Sequence, residues 1–242
     1  IINGLPNEPI NSVREDAVRK GLLFAGSENA VYFSLDAGEN WQSLRLNMPA
    51  SSIRDLVIKD DDLVIGTHGR SFWILDNITP LRQHNVNKAK ETVLFKPQKA
   101  IRVRWNMNTD TPLPPEEPAG ENPPDGAMID YYLHNNSAGP VKLEILNTKG
   151  DIIRTFTSND TLYTIPEVNI PLYWIRPQQI LAATAGAHRF LWDMKYAPLN
   201  IPAAYPMTAI IHNTPPDATA PWVMPGNYKI RLTVNGQTQE QP

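Results

Sequence analysis

Residues 34–41 read Ser34-Leu35-Asp36-Ala37-Gly38-Glu39-Asn40-Trp41. A Ser and an Asp two positions apart can hydrogen-bond nearby backbone N–H groups through their side-chain oxygens. The Gly tolerates a positive φ angle, and the Trp is placed to pack beneath the turn. We therefore predict a hairpin turn in which four residues have a structural role: Ser34, Asp36, Gly38 and Trp41.

The sequence around this turn repeats at a spacing of forty residues. Residues 12–14 recur as 52–54, residues 22–27 as 62–67, and residues 32–33 as 72–73. In the second copy Ile74, Ile78 and Leu81 replace the Ser, Gly and Trp of the turn. A period of about 40 to 45 residues with several short strands is typical of β-propeller blades. We therefore predict that residues 1–80 form two terminal propeller blades, and that the second has lost the turn.

Two blades do not make a ring, because a propeller closes with about four to eight blades that cover one another's faces. The chain opens on Ile1-Ile2-Asn3-Gly4-Leu5-Pro6, without an initiator Met or a signal peptide. We therefore expect an internal segment of a longer protein, with the remaining blades of that protein as its partners.

The composition of the chain excludes several classes of partner and site. The 242 residues carry a net charge of -3, which argues against nucleic acid as a partner. The absence of Cys excludes disulfides, thiol nucleophiles and Cys-based metal sites. No stretch approaches the roughly 18 apolar residues of a membrane span. We expect no cofactor, no metal and no membrane span.

Beyond the blades, residues 81–126 are predicted to be a connector with short strands at 92–97 and 100–105 and a Pro-rich loop. Residues 127–242 contain alternating runs that predict strands. We predict that these runs form a β-sandwich with Trp192 and Tyr228 in its core, whereas Trp41, Phe72 and Trp73 pack in the blades. The fold class is all-β. The predicted strands lie at 127–133, 141–146, 152–156, 186–193 and 226–234.

Several of these stretches resemble known families. Residues 34–41 fill every fixed position of the Asp-box, Ser-x-Asp-x-Gly-x-x-Trp, of sialidase-type propellers. The second region resembles the Ig-like domain of the flagellar hook-capping type, close to a fibronectin III sandwich. The residues that carry this second resemblance are Lys149-Gly150, Gly186-Ala187-His188, Trp192-Asp193 and Pro225-Gly226-Asn227-Tyr228.

Most of the chain resembles large secreted bacterial proteins of the BNR-repeat or sortilin-type glycosyl hydrolase family. The strongest local match is Gly66-Thr67-His68-Gly69-Arg70-Ser71-Phe72-Trp73-Ile74-Leu75-Asp76, which resembles that family's closing blade. The resemblance implies a multi-domain, extracytoplasmic protein, located in the periplasm, outside the cell or at its surface. It also implies one or two propellers ahead of this segment.

The candidate ligand-binding residues are Glu28, His68 and Arg70. His68 and Arg70 lie in a turn between two apolar strands, where Arg binds carboxylates bidentately and His acts as donor or base. Glu28 takes the place of His68 one repeat earlier, so the two are predicted to occupy equivalent positions and to face a shared funnel. The alternatives are that Arg70 pairs with an acid of its blade, His68 caps the turn, and Glu28 is an exposed turn acid.

No catalytic or metal-binding residue is predicted. The Asp60-Asp61-Asp62 run is more typical of a solvated hairpin turn than of a Ca²⁺ loop. Sialidases need three Arg, a Tyr-Glu pair and an acid drawn from many blades, and two blades cannot supply them. We predict a non-catalytic binding or scaffold segment that recognises carbohydrate, peptide or a protein. The alternative is an accessory part of a glycoside hydrolase whose catalytic residues lie in blades outside this chain.

Overall fold

The computed structural model describes residues 3–84, 90–102, 113–117, 119–162, 164–165, 167, 170–199 and 220–242. The chain divides into two compact units, unit 1 (Ile1–Ala89) and unit 2 (Lys90–Pro242). Among the described residues, every strand pairing inside a sheet is antiparallel. The all-β prediction is therefore confirmed at this level.

Unit 1 contains two meandering sheets, in which consecutive strands are neighbours. The second sheet is followed by a single helical turn, α1 (Thr79–Gln83), with Pro near its start, where the lack of an N–H is tolerated. The first sheet is β1 (Ile10–Glu15), β2 (Leu23–Ser27), β3 (Val31–Ser34) and β4 (Gln42–Ser43), and the second sheet is β5 (Ile53–Lys59), β6 (Asp62–Thr67) and β7 (Phe72–Leu75).

The two sheets of unit 1 share one apolar core. Phe24 and Val31 of the first sheet are fully buried together with Leu56 and Leu63 of the second sheet. Gly26 permits this close approach, because a Cβ atom there would lie 2.5 Å from Cγ2 of the buried Ile53. The sequence needs Gly at this position for packing.

The strand register corrects the predicted repeat. β2 and β6 correspond at the predicted spacing of forty, with Gly26 equivalent to Gly66. Gly26 pairs with Ser12 and Gly66 pairs with Asp55, so Ser12 corresponds to Asp55 and not to Ser52. The physical reason is a long β1–β2 connection, residues 16–22, against a tight β5–β6 turn in which Lys59 pairs with Asp62. The match of residues 12–14 with 52–54 is therefore wrong by three positions.

The third strand is displaced as well. Gly26 pairs with Val31, and Gly66 pairs with Phe72, so Val31 corresponds to Phe72 and Phe33 corresponds to Ile74. The β6–β7 turn is one residue longer than the β2–β3 turn, and the match of residues 32–33 with 72–73 is wrong by one position. This single-residue shift moves Phe72 to the opposite face of its strand.

The packing of the aromatic residues in unit 1 differs from the prediction at one position. Trp73 packs against the core, and Trp41 is half-buried. Phe72 is 76% exposed, so its predicted packing is wrong for the two sheets of unit 1. It lies with Val57, Val64 and Ile74 on what we call the outer face of the second sheet, the face turned away from the shared core.

Unit 2 is built from two sheets and a 3₁₀ turn at Leu172–Trp174. The strand orders are β12-β9-β8 in one sheet and β11-β10-β13-β14 in the other. The strands are β8 (Val93–Leu94), β9 (Ala127–Leu133), β10 (Lys142–Leu146), β11 (Ile152–Thr157), β12 (Gly186–Trp192), β13 (Lys229–Val234) and β14 (Gln237–Gln241).

Buried residues from both sheets of unit 2 form one core, as in a sandwich. Tyr131 and Trp192 come from one sheet, and Leu143 and Leu232 from the other. Tyr228 packs against this core with its ring edge-on to Trp192, at a centroid distance of 5.6 Å. The predicted core positions of Trp192 and Tyr228 are confirmed.

The strand predictions for unit 2 are confirmed at one place in the connector and need one addition. β8 lies within the strand predicted at residues 92–97 and pairs with β9, so the connector supplies part of a sheet. Of the strand predicted at 100–105, residues 103–105 lie outside the described residues, and residues 101 and 102 are not in a strand. The polar strand β14 was not predicted, although Asn235 and Gly236 before it have the positive φ angles of a hairpin turn.

Candidate functional site

The two predicted ligand-binding turns lie at the same end of unit 1. Glu28 directly follows β2, and His68 directly follows β6. Because β2 and β6 are equivalent strands, the two side chains occupy equivalent positions, as the repeat predicts. Asn11 in β1 and Arg54 in β5 reach the same end, and we call these four residues the strand-end cluster.

Glu28 is the centre of the strand-end cluster. Its Oε1 accepts a hydrogen bond from Asn11 Nδ2 at 2.8 Å and lies 3.5 Å from Nη1 of Arg54. The Asn11 hydrogen bond lowers the pKa of Glu28, and the nearby charges of Arg54 and His68 lower it further, while partial burial opposes the shift. The carboxylate is therefore held in its ionised form.

His68 and Arg70 are exposed, and their backbone groups order the turn between β6 and β7. The His68 N–H donates to the Ser52 carbonyl at 2.8 Å, and the Arg70 N–H donates to Thr67 Oγ1 at 3.2 Å. No described residue hydrogen-bonds the Arg70 guanidinium. The structure therefore brings His68 within electrostatic reach of Glu28, whereas it records no contact of Arg70 with either residue.

A further polar pair borders the cluster. Asn29 Nδ2 donates to Oε2 of Glu8, while the buried Oε1 of Glu8 has no hydrogen-bond partner among the described residues. Sequence reasoning missed Asn11 and Arg54 as members of this site. Arg54 was visible as part of the repeated Ser-x-Arg pattern, but the three-residue error in that match hid its position beside Glu28.

The opposite end of unit 1 holds a structural ion-pair network. Arg82 of α1 binds Asp16 with two hydrogen bonds, of 2.9 and 3.0 Å, and it also binds Asp61. The Asp16 side chain is fully buried, and that of Arg82 is 9% exposed. This network anchors α1 and the β5–β6 turn to the β1–β2 connection.

The Asp run is part of this structural end. Asp61 binds Arg82, Asp62 Oδ1 accepts the Asn77 N–H at 2.9 Å, and exposed Asp60 pairs with Lys59. Within the described ranges no group of three or more His, Asp or Glu residues is arranged to hold a metal ion.

The 34–41 turn lies at the same end as Arg82, because β3 runs away from the strand-end cluster. Ser34 Oγ accepts the Gly38 N–H at 2.9 Å, and Asp36 Oδ1 accepts the Asn40 N–H at 2.9 Å. Gly38 has a φ angle of 91°, and Trp41 Nε1 donates to the Gly38 carbonyl at 3.0 Å. Each fixed residue of the motif thus orders the turn.

Three titratable residues of unit 2, Asp130, Tyr131 and His188, have packing partners. Asp130 pairs with Arg189 at 2.8 Å, and its pKa is raised by burial and lowered in part by that Arg. Tyr131 donates its hydroxyl hydrogen to the Ala182 carbonyl at 2.9 Å, and burial raises its pKa to about 12. His188 stacks on Tyr131 at a centroid distance of 5.2 Å. These contacts indicate structural roles.

Two further findings bear on identity. Among the described residues, no helix has the length and apolar content that crossing a bilayer requires. No family model, curated protein or solved structure matches this chain.

Proposed function

We propose that this chain is a non-catalytic binding and scaffold segment of a longer, exported protein built from repeated β-sheets. In this proposal, unit 1 is the last two blades of a propeller marked by an Asp-box, and unit 2 is an Ig-like or fibronectin III-like sandwich. The partners of unit 1 are the remaining blades, and the ligand is carbohydrate or peptide. The observation that carries the proposal is the outer face of the second sheet.

This face repeats the one by which the first sheet packs onto the second. Gly66, Phe72 and Ile74 stand where the first sheet has Gly26, Val31 and Phe33. In the first sheet these positions face the shared core, and the surface above Gly26 receives Ile53. Repeating the same packing step would place another sheet on the outer face of the second sheet.

The outer face exposes apolar side chains, and covering them would be energetically favourable. Phe72 is 76% exposed, Ile74 58% and Val57 49%, and they lie side by side across the sheet with Val64. Contiguous apolar patches on a protein surface mark interaction sites. Burying one large apolar side chain contributes about 1.5–3 kcal/mol, so a covering sheet would be held strongly.

The strand-end cluster suits recognition better than hydrolysis. Arg54 and His68 offer donors, and ionised Glu28 offers acceptors, which matches the mixed hydrogen-bonding groups of carbohydrates and peptides. Glycoside hydrolysis needs a carboxylic acid of raised pKa and a second carboxylate about 5–9.5 Å away. The pKa of Glu28 is lowered, by the Asn11 hydrogen bond first, so Glu28 does not suit the acid role. In the hydrolase alternative the catalytic residues lie in blades outside this chain.

The test replaces both Phe72 and Ile74 by Thr, which keeps strand propensity and removes apolar surface. In the 242-residue chain the free energy of unfolding should change little, because both side chains already meet water. In the natural-length polypeptide from the source cell, the same change should cost about 2–4 kcal/mol, because a covering sheet loses its contacts.

A matched control is Ile152→Thr in unit 2, which is 50% exposed and should be nearly neutral in both polypeptides. A large loss of stability in the 242-residue chain would show that the outer face is already packed. An unchanged natural-length polypeptide would show that no sheet covers the face. Either result would reject the proposal.

A further inference from the structure

One arginine of unit 2 lies on the inward face of a strand at the edge of a sheet. β11 is the first strand in the order β11-β10-β13-β14, and Arg154 of β11 pairs with Ile145 of β10. Side chains of directly paired residues lie on the same face of a sheet. Ile145 is fully buried in the core of unit 2, so Arg154 is on the core side of β11. A charge in such a place is costly unless it is paired.

The contacts of Arg154 leave one side of its guanidinium without a partner. Nη1 donates to the Tyr196 carbonyl at 3.1 Å, and the guanidinium carbon lies 5.0 Å from the centre of the Phe156 ring. Nε is shielded from water, and no described residue accepts a hydrogen bond from it. Nor does any Asp or Glu of the described ranges form an ion pair with Arg154. Because buried donors in folded proteins are nearly always paired, this free side calls for an acceptor.

An open groove lies beside Arg154, and we call it the β11 groove. Its volume is about 470 Å³, which falls within the range of about 300–1,000 Å³ that is usual for ligand sites. Arg154 is the charged member of its lining, and most of the other members are apolar. The lining residues are Ile152, Ile153, Arg154, Thr155, Ala197 and Pro198.

The free side of the guanidinium determines which chemistry fits the β11 groove. The Nε–H and an N–H of Nη2 lie parallel in one plane, and this fork matches the two oxygens of a carboxylate. One cation balances one negative charge, and an apolar lining suits a hydrocarbon body. A phosphate group carries up to about two charges and would require more donors than this lining offers.

We infer that the β11 groove binds an aliphatic carboxylate. The carboxylate pairs with the Nε and Nη2 side of Arg154, and the hydrocarbon chain lies against Ile152 and Ile153. A small branched-chain acid and the C-terminus of a peptide that ends in an aliphatic residue both present this chemistry. The inference rests on unit 2 alone and does not depend on the function proposed for unit 1.

A second role of Arg154 makes a different prediction. An inward-facing charge on an edge strand discourages that strand from pairing with other chains. This role requires no ligand, so measurements of binding separate it from the inference.

Titration of the 242-residue chain with isocaproate tests the inference on the wild type. The Nε–H resonance of Arg154 in a proton–nitrogen correlation spectrum should shift and saturate. Isocaproamide has the same hydrocarbon chain without the charge, and it should bind about tenfold or more weakly. Inorganic phosphate at the same concentrations should not reproduce the shift. These comparisons use the unaltered protein, so they do not depend on the folding of any variant.

Two matched variants locate the site. Arg154→Met keeps an apolar stem over Phe156 and removes the charge, so it should weaken isocaproate binding about tenfold or more. Arg102→Met is the control, because Arg102 also lies over an aromatic ring, Trp222 at 5.5 Å, and also donates to a carbonyl, that of Val223. Arg102 does not line the groove, and salt screens its charge, so the affinity should change less than about twofold.

The tripeptide Ala-Ala-Leu with a free C-terminus distinguishes the two sources of the carboxylate. Tighter binding than that of isocaproate identifies a peptide C-terminus, and equal or weaker binding identifies a small acid. The inference is overturned if isocaproate leaves the Arg154 resonance unchanged, or if isocaproamide or inorganic phosphate binds as tightly as isocaproate. It is also overturned if Arg154→Met and Arg102→Met change the affinity equally.

Discussion

Unit 1 and unit 2 each bury an apolar core between two sheets, but they differ in what their sheets leave outside. In unit 2 the aromatic side chains of Tyr131 and Trp192 are turned inward. In unit 1 the second sheet is apolar on both faces, with Leu63 inside and Phe72 outside. A sheet that is apolar on both faces is typical of an internal layer. The comparison therefore supports the proposal that further sheets cover unit 1.

The largest effect is expected from breaking the ion-pair network of unit 1. Arg82→Ala removes the ion-pair partner of buried Asp16 and should cost about 3–5 kcal/mol of unfolding free energy. Denaturant unfolding measures this loss. Arg54→Ala removes an exposed pair with Glu28 and should cost less than about 1 kcal/mol. Equal effects would show that the buried network does not hold the two sheets together.

The next largest effect on stability is expected from Tyr131 in the core of unit 2. The pKa of Tyr131 is about 12, above its ordinary value of about 10, so Tyr131 supports folding fully below pH 10. That contribution is lost as the pH rises from 10 to 12, and it amounts to about 2–3 kcal/mol. Unfolding at pH 8 and pH 11.5 measures it. Tyr131→Phe should make the alkaline loss smaller, and an unchanged loss would contradict the stated role of Tyr131.

Gly26 and Gly66 occupy equivalent positions in the two sheets of unit 1, Gly26 on a covered face and Gly66 on an exposed one. Gly26→Ala drives a Cβ atom to 2.5 Å from Ile53 and should cost about 1–3 kcal/mol. Gly66→Ala meets nothing closer than 3.7 Å and should be neutral or slightly stabilising in the 242-residue chain. Thermal unfolding of the two variants tests this difference, and equal destabilisation would mean that the outer face is packed.

The smallest effect concerns the strand-end cluster. The pKa of Glu28 lies below its ordinary value, because of the Asn11 hydrogen bond first, with smaller contributions from the Ser52 hydroxyl and from the charges of Arg54 and His68. Glu28 therefore supports folding above about pH 4.3, and this support is lost as the pH falls through the lowered pKa. Comparing urea midpoints between pH 6 and pH 3 should show a shallower acid loss in Glu28→Gln. Identical pH profiles of the wild type and Glu28→Gln would show that the contacts of Glu28 in the strand-end cluster do not stabilise the fold.

The sequence predicted the parts of the fold that local pattern controls. The hairpin at residues 34–41, most strands and the equivalence of Glu28 and His68 follow from periodicity and turn chemistry. Strand register did not follow, because the sequence spacing of forty holds only for β2 and β6, while the connections on either side change length. Phe72 was matched with Tyr32 and not with Val31 for this reason, and the exposed outer face was missed.

The remaining misses involve contacts between residues distant in the chain. Arg82 was read as part of a polar connector, since nothing in its neighbourhood points to Asp16, which is 66 positions away. The contacts of Asn11 and Arg54 with Glu28 depend on the positions of β1 and β5 in the fold, which the sequence does not show. β14 is polar throughout, and the Asn235-Gly236 turn was the signal that could have found it.

The central claim is that unit 1 is one part of a longer array of sheets, and the most direct test is the mass of the native polypeptide. An immunoblot against this segment would be run on periplasmic and cytosolic fractions of the source cell. The account predicts a band several times larger than 27.1 kDa in the exported fraction. A band near 27 kDa would contradict it, because the outer face of the second sheet would then have no further sheet in the chain to cover it.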